Sequence, residues 1–312
     1  MKILFAATPE VAIPTLAALT ESDHEVVGVL TRSPARRGRG RTLYPSEVGE
    51  WASENGLHVI EADSFKDPQV LEQVQKTGAQ LGVVVAYGAI IPKTALEGLD
   101  HGWINLHFSA LPRWRGAAPV QRAIEAGDTV TAVDVFQLEE GLDTGPVYST
   151  RPVEIDPDIS GGELLAELAQ IGAKDVVDVV DSIAMGIANP RVQNESGETY
   201  AHRITRDDLA INFTKPALQV HNQVRAFAPA PGAYAMLPDG KRLKILATKM
   251  TDQPGGKPGE LRIEKNAVFV ATADAWLELI TVAPAGKSHM AAADWARGAR
   301  LEQGAVLKGK EN

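Results

Sequence analysis

The chain predicts a doubly wound α/β domain with a mainly parallel sheet, followed by a small β-barrel domain. Two observations carry this. Through the first half, apolar runs of strand length alternate with segments of helical spacing. Beyond about residue 204 the pattern changes to several short strands with little helix. A length of 312 residues exceeds one average domain, so two domains are expected.

The elements follow in order. Lys2–Ala7 reads as a strand, Pro14–Thr20 as part of a helix, His24–Thr31 as a second strand and Leu57–Glu61 as a short third. Asp67–Thr77 is helical, with Asp67-Pro68 as cap and first turn. Leu81–Ala86 is a continuous apolar run of the kind buried in parallel sheets, and Trp103–Phe108 is another. Ala132–Leu138 and Val147–Ile155 are later strands, separated by a loop of turn formers from Glu139 to Pro146. Helical spacing through Leu164, Leu168, Ile171, Val176 and Val180 closes the first domain, 1–188. The polar stretch Asn189–His202 is interrupted by Pro190 and Gly197 and reads as a linker, 189–204. In 205–312, Lys215–Phe227 is a helix with Ala217, Val220, Val224 and Phe227 along one face. Strands are expected at Ala233–Leu237, Arg242–Thr248, Ala267–Ala271 and Trp276–Val282, the first two joined by a Pro238-Asp239-Gly240 turn.

Composition excludes several functions. With no cysteine there are no disulfides or thiolate metal sites. The seven histidines are scattered without ligand spacing, so no metal is expected. The opening apolar run stops at Thr8-Pro9-Glu10 and does not read as a signal peptide. No apolar run approaches a membrane span, so a cytoplasmic protein without membrane contact is expected.

The net charge of -9 conceals a split. Residues 1–202 hold 15 Lys and Arg against 29 Asp and Glu, a net of -14; residues 203–312 hold 16 against 11, a net of +5. A basic second half is compatible with a polyanionic partner, and equally with an ordinary surface charge. Arg32–Arg41 is a biased stretch with five arginines and two glycines.

Chemistry concentrates between Ile104 and Asp143. Asn105 and His107 lie two apart at the end of an apolar strand, so they share a face. Ligands of open α/β sheets bind beyond the carboxyl ends of the strands. Asp143 arrives on a loop flanked by Gly141 and Gly145, which would let its backbone approach a ligand. An uncharged amide such as Asn105 can stabilise the oxyanion of acyl transfer. An imidazole such as His107 can move the protons. A carboxylate such as Asp143 can fix the tautomer of that imidazole and raise its pKa. Taken singly, each residue has an ordinary structural reading: a strand-end turn, a core histidine, an Asx turn.

The combination is more specific. Asn105-Leu106-His107-Phe108-Ser109-Ala110-Leu111-Pro112, then Trp114-Arg115-Gly116-Ala117-Ala118-Pro119-Val120-Gln121, then Gly141-Leu142-Asp143-Thr144-Gly145, strongly resembles the methionyl-tRNA formyltransferase family. The resemblance extends over nearly the whole chain. It includes Phe5-Ala6-Ala7-Thr8-Pro9, Val84-Val85-Ala86-Tyr87-Gly88, Tyr200-Ala201-His202, Arg225-Ala226-Phe227 and Pro231-Gly232-Ala233-Tyr234. It implies a formyltransferase-type Rossmann-like catalytic domain, with Asn105, His107 and Asp143 as catalytic residues, and a C-terminal OB-like tRNA-binding domain. It also implies 10-formyltetrahydrofolate as formyl donor and methionyl initiator tRNA as acceptor, with the chain acting as a monomer. Ser109, Ala110, Leu111 and Pro112 match the tetrahydrofolate-binding stretch. Ala86, Tyr87, Gly88 and Leu138 would adjoin the pterin. Aligned through Leu43 and Pro45-Ser46, Gly38-Arg39-Gly40 matches the family's tRNA-inserting loop. Arg39, Arg41 and Arg203 are therefore the implied tRNA contacts.

The chain departs from the family pattern in places. Ala7 stands for the usual glycine, Ala110 for a leucine, Arg203 for a lysine, and Asp134 for a threonine or serine in a segment, Thr131–Asp134, that lacks Thr-Gly. Three other readings compete. A dinucleotide oxidoreductase needs a G-x-G-x-x-G turn after the first strand, which Phe5–Glu10 lacks. A non-catalytic tRNA-binding protein leaves the trio unexplained. A relative formylating a sugar nucleotide or purine precursor, or hydrolysing formylfolate, leaves the basic C-terminal half unexplained.

Overall fold

The computed structural model describes residues 1–36, 42–194 and 196–310. Contacts divide the chain into two units. One comprises Met1–Gly116, Thr131–Val153 and Leu165–Tyr200; the other comprises Ala117–Val130, Glu154–Leu164 and Ala201–Asn312.

The first unit is built on a seven-stranded sheet. Its order is Val147–Glu154, Val130–Gln137, Trp103–His107, Leu81–Val85, Lys2–Ala7, Glu25–Thr31, Val59–Glu61. The five strands from Trp103–His107 to Val59–Glu61 pair in parallel, and Val130–Gln137 joins antiparallel. The chain steps outward from Lys2–Ala7 in one direction, then returns to its other side with Leu81–Val85. The carboxyl ends of those two strands form the switch point where open sheets bind ligands. Thr8 ties them together, its Oγ1 donating to the Tyr87 carbonyl at 2.7 Å.

Burial on both faces explains the uninterrupted apolar runs. Leu81–Val85 is buried at every position. Gly82 is required there because a Cβ would lie 2.1 Å from the Trp103 ring. Leu106 and Val133 face Gly172 of the helix Gly161–Ala184, where a Cβ would approach Leu106 to 2.7 Å. Asn105 and His107 therefore point to the opposite face. The helix Pro68–Lys76 starts as expected, with the Asp67 carboxylate accepting from Gln69 N–H at 2.9 Å.

The segment expected as a linker is hydrogen-bonded. Arg191 exchanges two backbone bonds with Val147, both 2.8 Å, and Thr199 accepts at its carbonyl from Arg115 N–H at 2.9 Å. Its polar composition reflects these bonds along a sheet edge, rather than a free tether.

The second unit carries an antiparallel sheet in the order Ala233–Met236, Arg242–Pro254, Ala275–Pro284, Val268–Ala271, Leu261–Ile263, with Met290–Ala291 beside Ala275–Pro284. Residues near the C-terminus reach both edges. Met236 and Lys308 exchange backbone bonds of 2.7 and 2.9 Å, and Leu261 N–H donates to Ala305 at 2.8 Å. This closure satisfies edge groups that would otherwise be unpaired. The strand expected at Arg242–Thr248 runs on to Pro254; its later residues are mostly exposed and carry no apolar alternation that would mark them as strand in the sequence. The helix Ala217–Phe227 packs against a short helix, Pro119–Ala126, not expected from the sequence. Val120, Ala123 and Ile124 are buried there.

Candidate active site

Asn105 and His107 occupy the carboxyl end of Trp103–His107. Val130–Gln137 pairs Phe136 with Asn105 and Asp134 with His107. His107 is buried and meets the Phe136 ring edge-on, with ring centroids 6.1 Å apart. Its Nε2 lies 3.0 Å from the Trp114 carbonyl. A carbonyl oxygen only accepts, so Nε2 carries the proton and Nδ1 keeps its lone pair. Nδ1 faces Asp143 Oδ2 at 3.9 Å.

That distance is too long for a hydrogen bond, and Asp143 Oδ2 instead accepts from Gly116 N–H at 2.7 Å. The tautomer is thus set by Trp114 and not, as expected, by Asp143. Burial depresses the His107 pKa below the ordinary imidazole range, outweighing the opposing pull of the Asp143 charge and of the Trp114 carbonyl. The resting imidazole is neutral, with Nδ1 as proton acceptor. Protonation at Nδ1 creates a cation directly facing the Asp143 carboxylate.

The loops around this point hold strained backbone. Ala86, Trp114 and Asp143 have positive φ of 49°, 61° and 52°, a region that side-chain-bearing residues seldom adopt. Gly141 and Gly145 serve the loop's own packing. A Cβ at Gly145 would lie 1.9 Å from the Gln137 carbonyl, and one at Gly141 2.1 Å from Thr144 Oγ1.

The residues implied for folate are placed unequally. Ser109 is fully buried, its hydroxyl donating to the Arg113 carbonyl at 2.7 Å, so it shapes the 109–114 turn. Leu111 N–H donates to Asp134 Oδ2 at 2.8 Å, and the Leu111–Pro112 peptide is cis. Ala110 is exposed, while Leu111, Pro112 and Leu138 are half-buried. Ala86 and Gly88 are exposed at the end of Leu81–Val85. The Tyr87 side chain points into the core, where its hydroxyl donates to the Ala62 carbonyl at 2.9 Å, and burial pushes its pKa up to about 12. Small residues with accessible backbone at 86, 88 and 110 suit a flat ring with polar edges.

Asp134 is fully buried, and one of its oxygens has no partner among the described residues. Burial pushes its pKa up to about 7, against the opposing bonds from Leu111 and Thr150. Arg203 lies exposed in the second unit. Arg39 and Arg41 lie outside the described residues.

Sequence reasoning missed Trp114 as the tautomer-setting partner, and Gln193 beside the Asp143 loop. The Trp114-Arg115-Gly116 motif offered a signal for the first; nothing local marks Gln193.

The chain that carries this arrangement is a formyltransferase. The formyl transferase family model matches residues 1–180 and the model of the formyl transferase C-terminal domain matches 203–300. Within that class the chain belongs to the methionyl-tRNA formyltransferase family. The methionyl-tRNA formyltransferases of Acidothermus cellulolyticus and Salinispora tropica are each 46% identical to it, covering 98% of this chain and 99% and 100% of theirs. Among solved structures, HypX from Aquifex aeolicus in complex with tetrahydrofolic acid shares the fold, with a TM-score of 0.68 at 17% identity over 95% of this chain and 47% of that one.

Proposed function

We propose that this chain transfers the formyl group of 10-formyltetrahydrofolate to the α-amino group of methionine on initiator tRNA. The observation that carries the reading is the lone pair of His107 Nδ1 facing the Asp143 carboxylate at 3.9 Å, with Asn105 two residues earlier on the same strand face. The neutral amine attacks the formyl carbon directly, and no enzyme nucleophile is needed. Asn105 donates from its amide to the developing oxyanion. His107 accepts the amine proton at Nδ1, becoming a cation that Asp143 stabilises. The bond from carbon to the donor nitrogen then breaks, and His107 returns the proton to that nitrogen. Ser109, Ala110, Leu111, Pro112, Ala86, Tyr87, Gly88 and Leu138 would frame the donor, chiefly through backbone and apolar contact.

Arg39, Arg41 and Arg203 would engage the tRNA, where guanidinium groups pair with phosphates and stack on unpaired bases. On this reading 1–188 performs the chemistry, 189–204 connects, and 205–312 binds tRNA in the cytoplasm. Among the described residues no helix is long and apolar enough to cross a membrane.

The test incubates the protein with labelled formyl donor and charged initiator tRNA, with charged elongator tRNA as control. Label appearing on the initiator methionine supports the reading. Its absence there, or equal labelling of both tRNAs, overturns the donor or the acceptor respectively.

A further inference from the structure

Gln193 lies far along the chain from the catalytic trio, yet its carboxamide bridges the two segments that hold Asp143. Its Nε2 donates to the Asp143 carbonyl at 2.7 Å and to the Gly145 carbonyl at 2.8 Å. Its Oε1 accepts from Arg115 Nη2 at 2.7 Å and Nε at 3.2 Å. Arg115 is buried and is held on its other side by Glu198, 2.9 Å from Nη1. The next residue, Gly116, donates its N–H to the Asp143 carboxylate. One side chain thus fastens the Asp143 loop to the segment that orients the Asp143 carboxylate.

The backbone explains why Gln193 reaches this place. The two bonds between Arg191 and Val147 lay the 191–193 segment antiparallel along the sheet edge, so that Gln193, two residues after Arg191, comes beside Gly145, two residues before Val147. Asp143 needs an external hold because its positive φ is unfavourable for a residue with a side chain. A loop left free would relax from that conformation and carry the carboxylate away from His107.

We propose that Gln193 is a positioning residue for formyl transfer, holding the strained Asp143 loop so that its carboxylate faces His107 Nδ1. The inference rests on the proposed role of Asp143. It also gives the polar segment before residue 200 a part in the chemistry.

Gln193→Glu separates the two halves of the clamp. It keeps an acceptor for Arg115 but sets oxygen against the carbonyls of Asp143 and Gly145. Gln193→Ala removes both halves without adding charge, and serves if the glutamate variant does not fold. Each is measured alone and combined with Asp143→Asn, by kcat, by KM for both substrates, by pH profile and by thermal melting. The expected result for Gln193→Glu is a roughly tenfold fall in kcat with KM changed less than about twofold, since positioning acts on the reacting geometry. The acid limb of its pH profile moves to lower pH, as in Asp143→Asn. Added to Asp143→Asn, it lowers kcat by less than about twofold, because residues acting as a unit are not additive.

Wild-type kcat in Gln193→Glu and Gln193→Ala, beside an impaired Asp143→Asn, overturns this inference alone. A full multiplicative loss in the double variant also overturns it, by showing that Gln193 acts elsewhere. Wild-type kcat in Asp143→Asn overturns the role given to Asp143, and this inference with it.

Discussion

His107 is held between two groups with different tasks: the Trp114 carbonyl, 3.0 Å from Nε2, and the Asp143 carboxylate, 3.9 Å from Nδ1. The first fixes where the resting proton sits. The second stabilises the charge that appears when Nδ1 is protonated. Burial keeps the resting imidazole neutral and so ready to accept a proton at neutral pH.

The acid limb of the rate profile should therefore lie below the ordinary imidazole range. Asp143→Asn removes a charge that raises the His107 pKa, so the limb should move further down while kcat falls. His107→Ala should lose about 10²–10⁴-fold in kcat, the usual contribution of a positioned acid–base group. Steady-state rates across pH check both, and a His107→Ala chain with near wild-type turnover would remove His107 from the mechanism.

Asp134 makes stability depend on pH. Its folded-state pKa, about 7, lies above the ordinary carboxylate value. The folded state therefore binds this proton more tightly than the unfolded chain. The contribution is full below the unfolded pKa near 4 and is lost as pH rises to about 7. Asp134→Asn cannot ionise, so it should gain about 1–4 kcal/mol relative to the parent between pH 4 and pH 8. Melting curves at several pH values test this; a constant difference across pH would mean that the group does not titrate in this range.

Gly172 sets how closely its helix approaches the sheet. Gly172→Ala places a Cβ 2.7 Å from Leu106 and 2.9 Å from Val133. The variant should be destabilised by about 1–3 kcal/mol, the usual cost of overpacking a core. Denaturant midpoints measure it, and an unchanged midpoint would show that the helix yields without cost.

Deleting residues 203–312 removes the Ala217–Phe227 helix from its contacts with Pro119–Ala126. Val120, Ala123 and Ile124, buried in the intact chain, would be exposed. The truncated chain should melt earlier and bind a hydrophobic dye, so loss of tRNA binding on truncation needs Arg203→Ala beside it. Binding of tRNA by the full chain should weaken as salt rises, since phosphate contacts release counterions. A flat salt dependence would exclude a backbone-contacting basic surface.

Much of the first unit was legible because a parallel sheet buried on both faces writes continuous apolar runs, as at Leu81–Val85. The helix start at Asp67-Pro68 was legible because its cap is local. Pro119–Ala126 was not, because its eight residues become a helix against a partner a hundred residues away. Nor was the outer half of Arg242–Pro254, whose exposed residues leave no alternation to read.

By itself the sequence determined the fold class, the reaction class and the shared strand face of Asn105 and His107, since strand periodicity and motif are local properties. Only the tertiary structure decided which groups meet there. The tautomer of His107 depends on the Trp114 carbonyl, its pKa on burial, and the Asp143 loop on Gln193 fifty residues away. Hydrogen bonds and desolvation depend on distance through space, and distance along the chain carries no record of them.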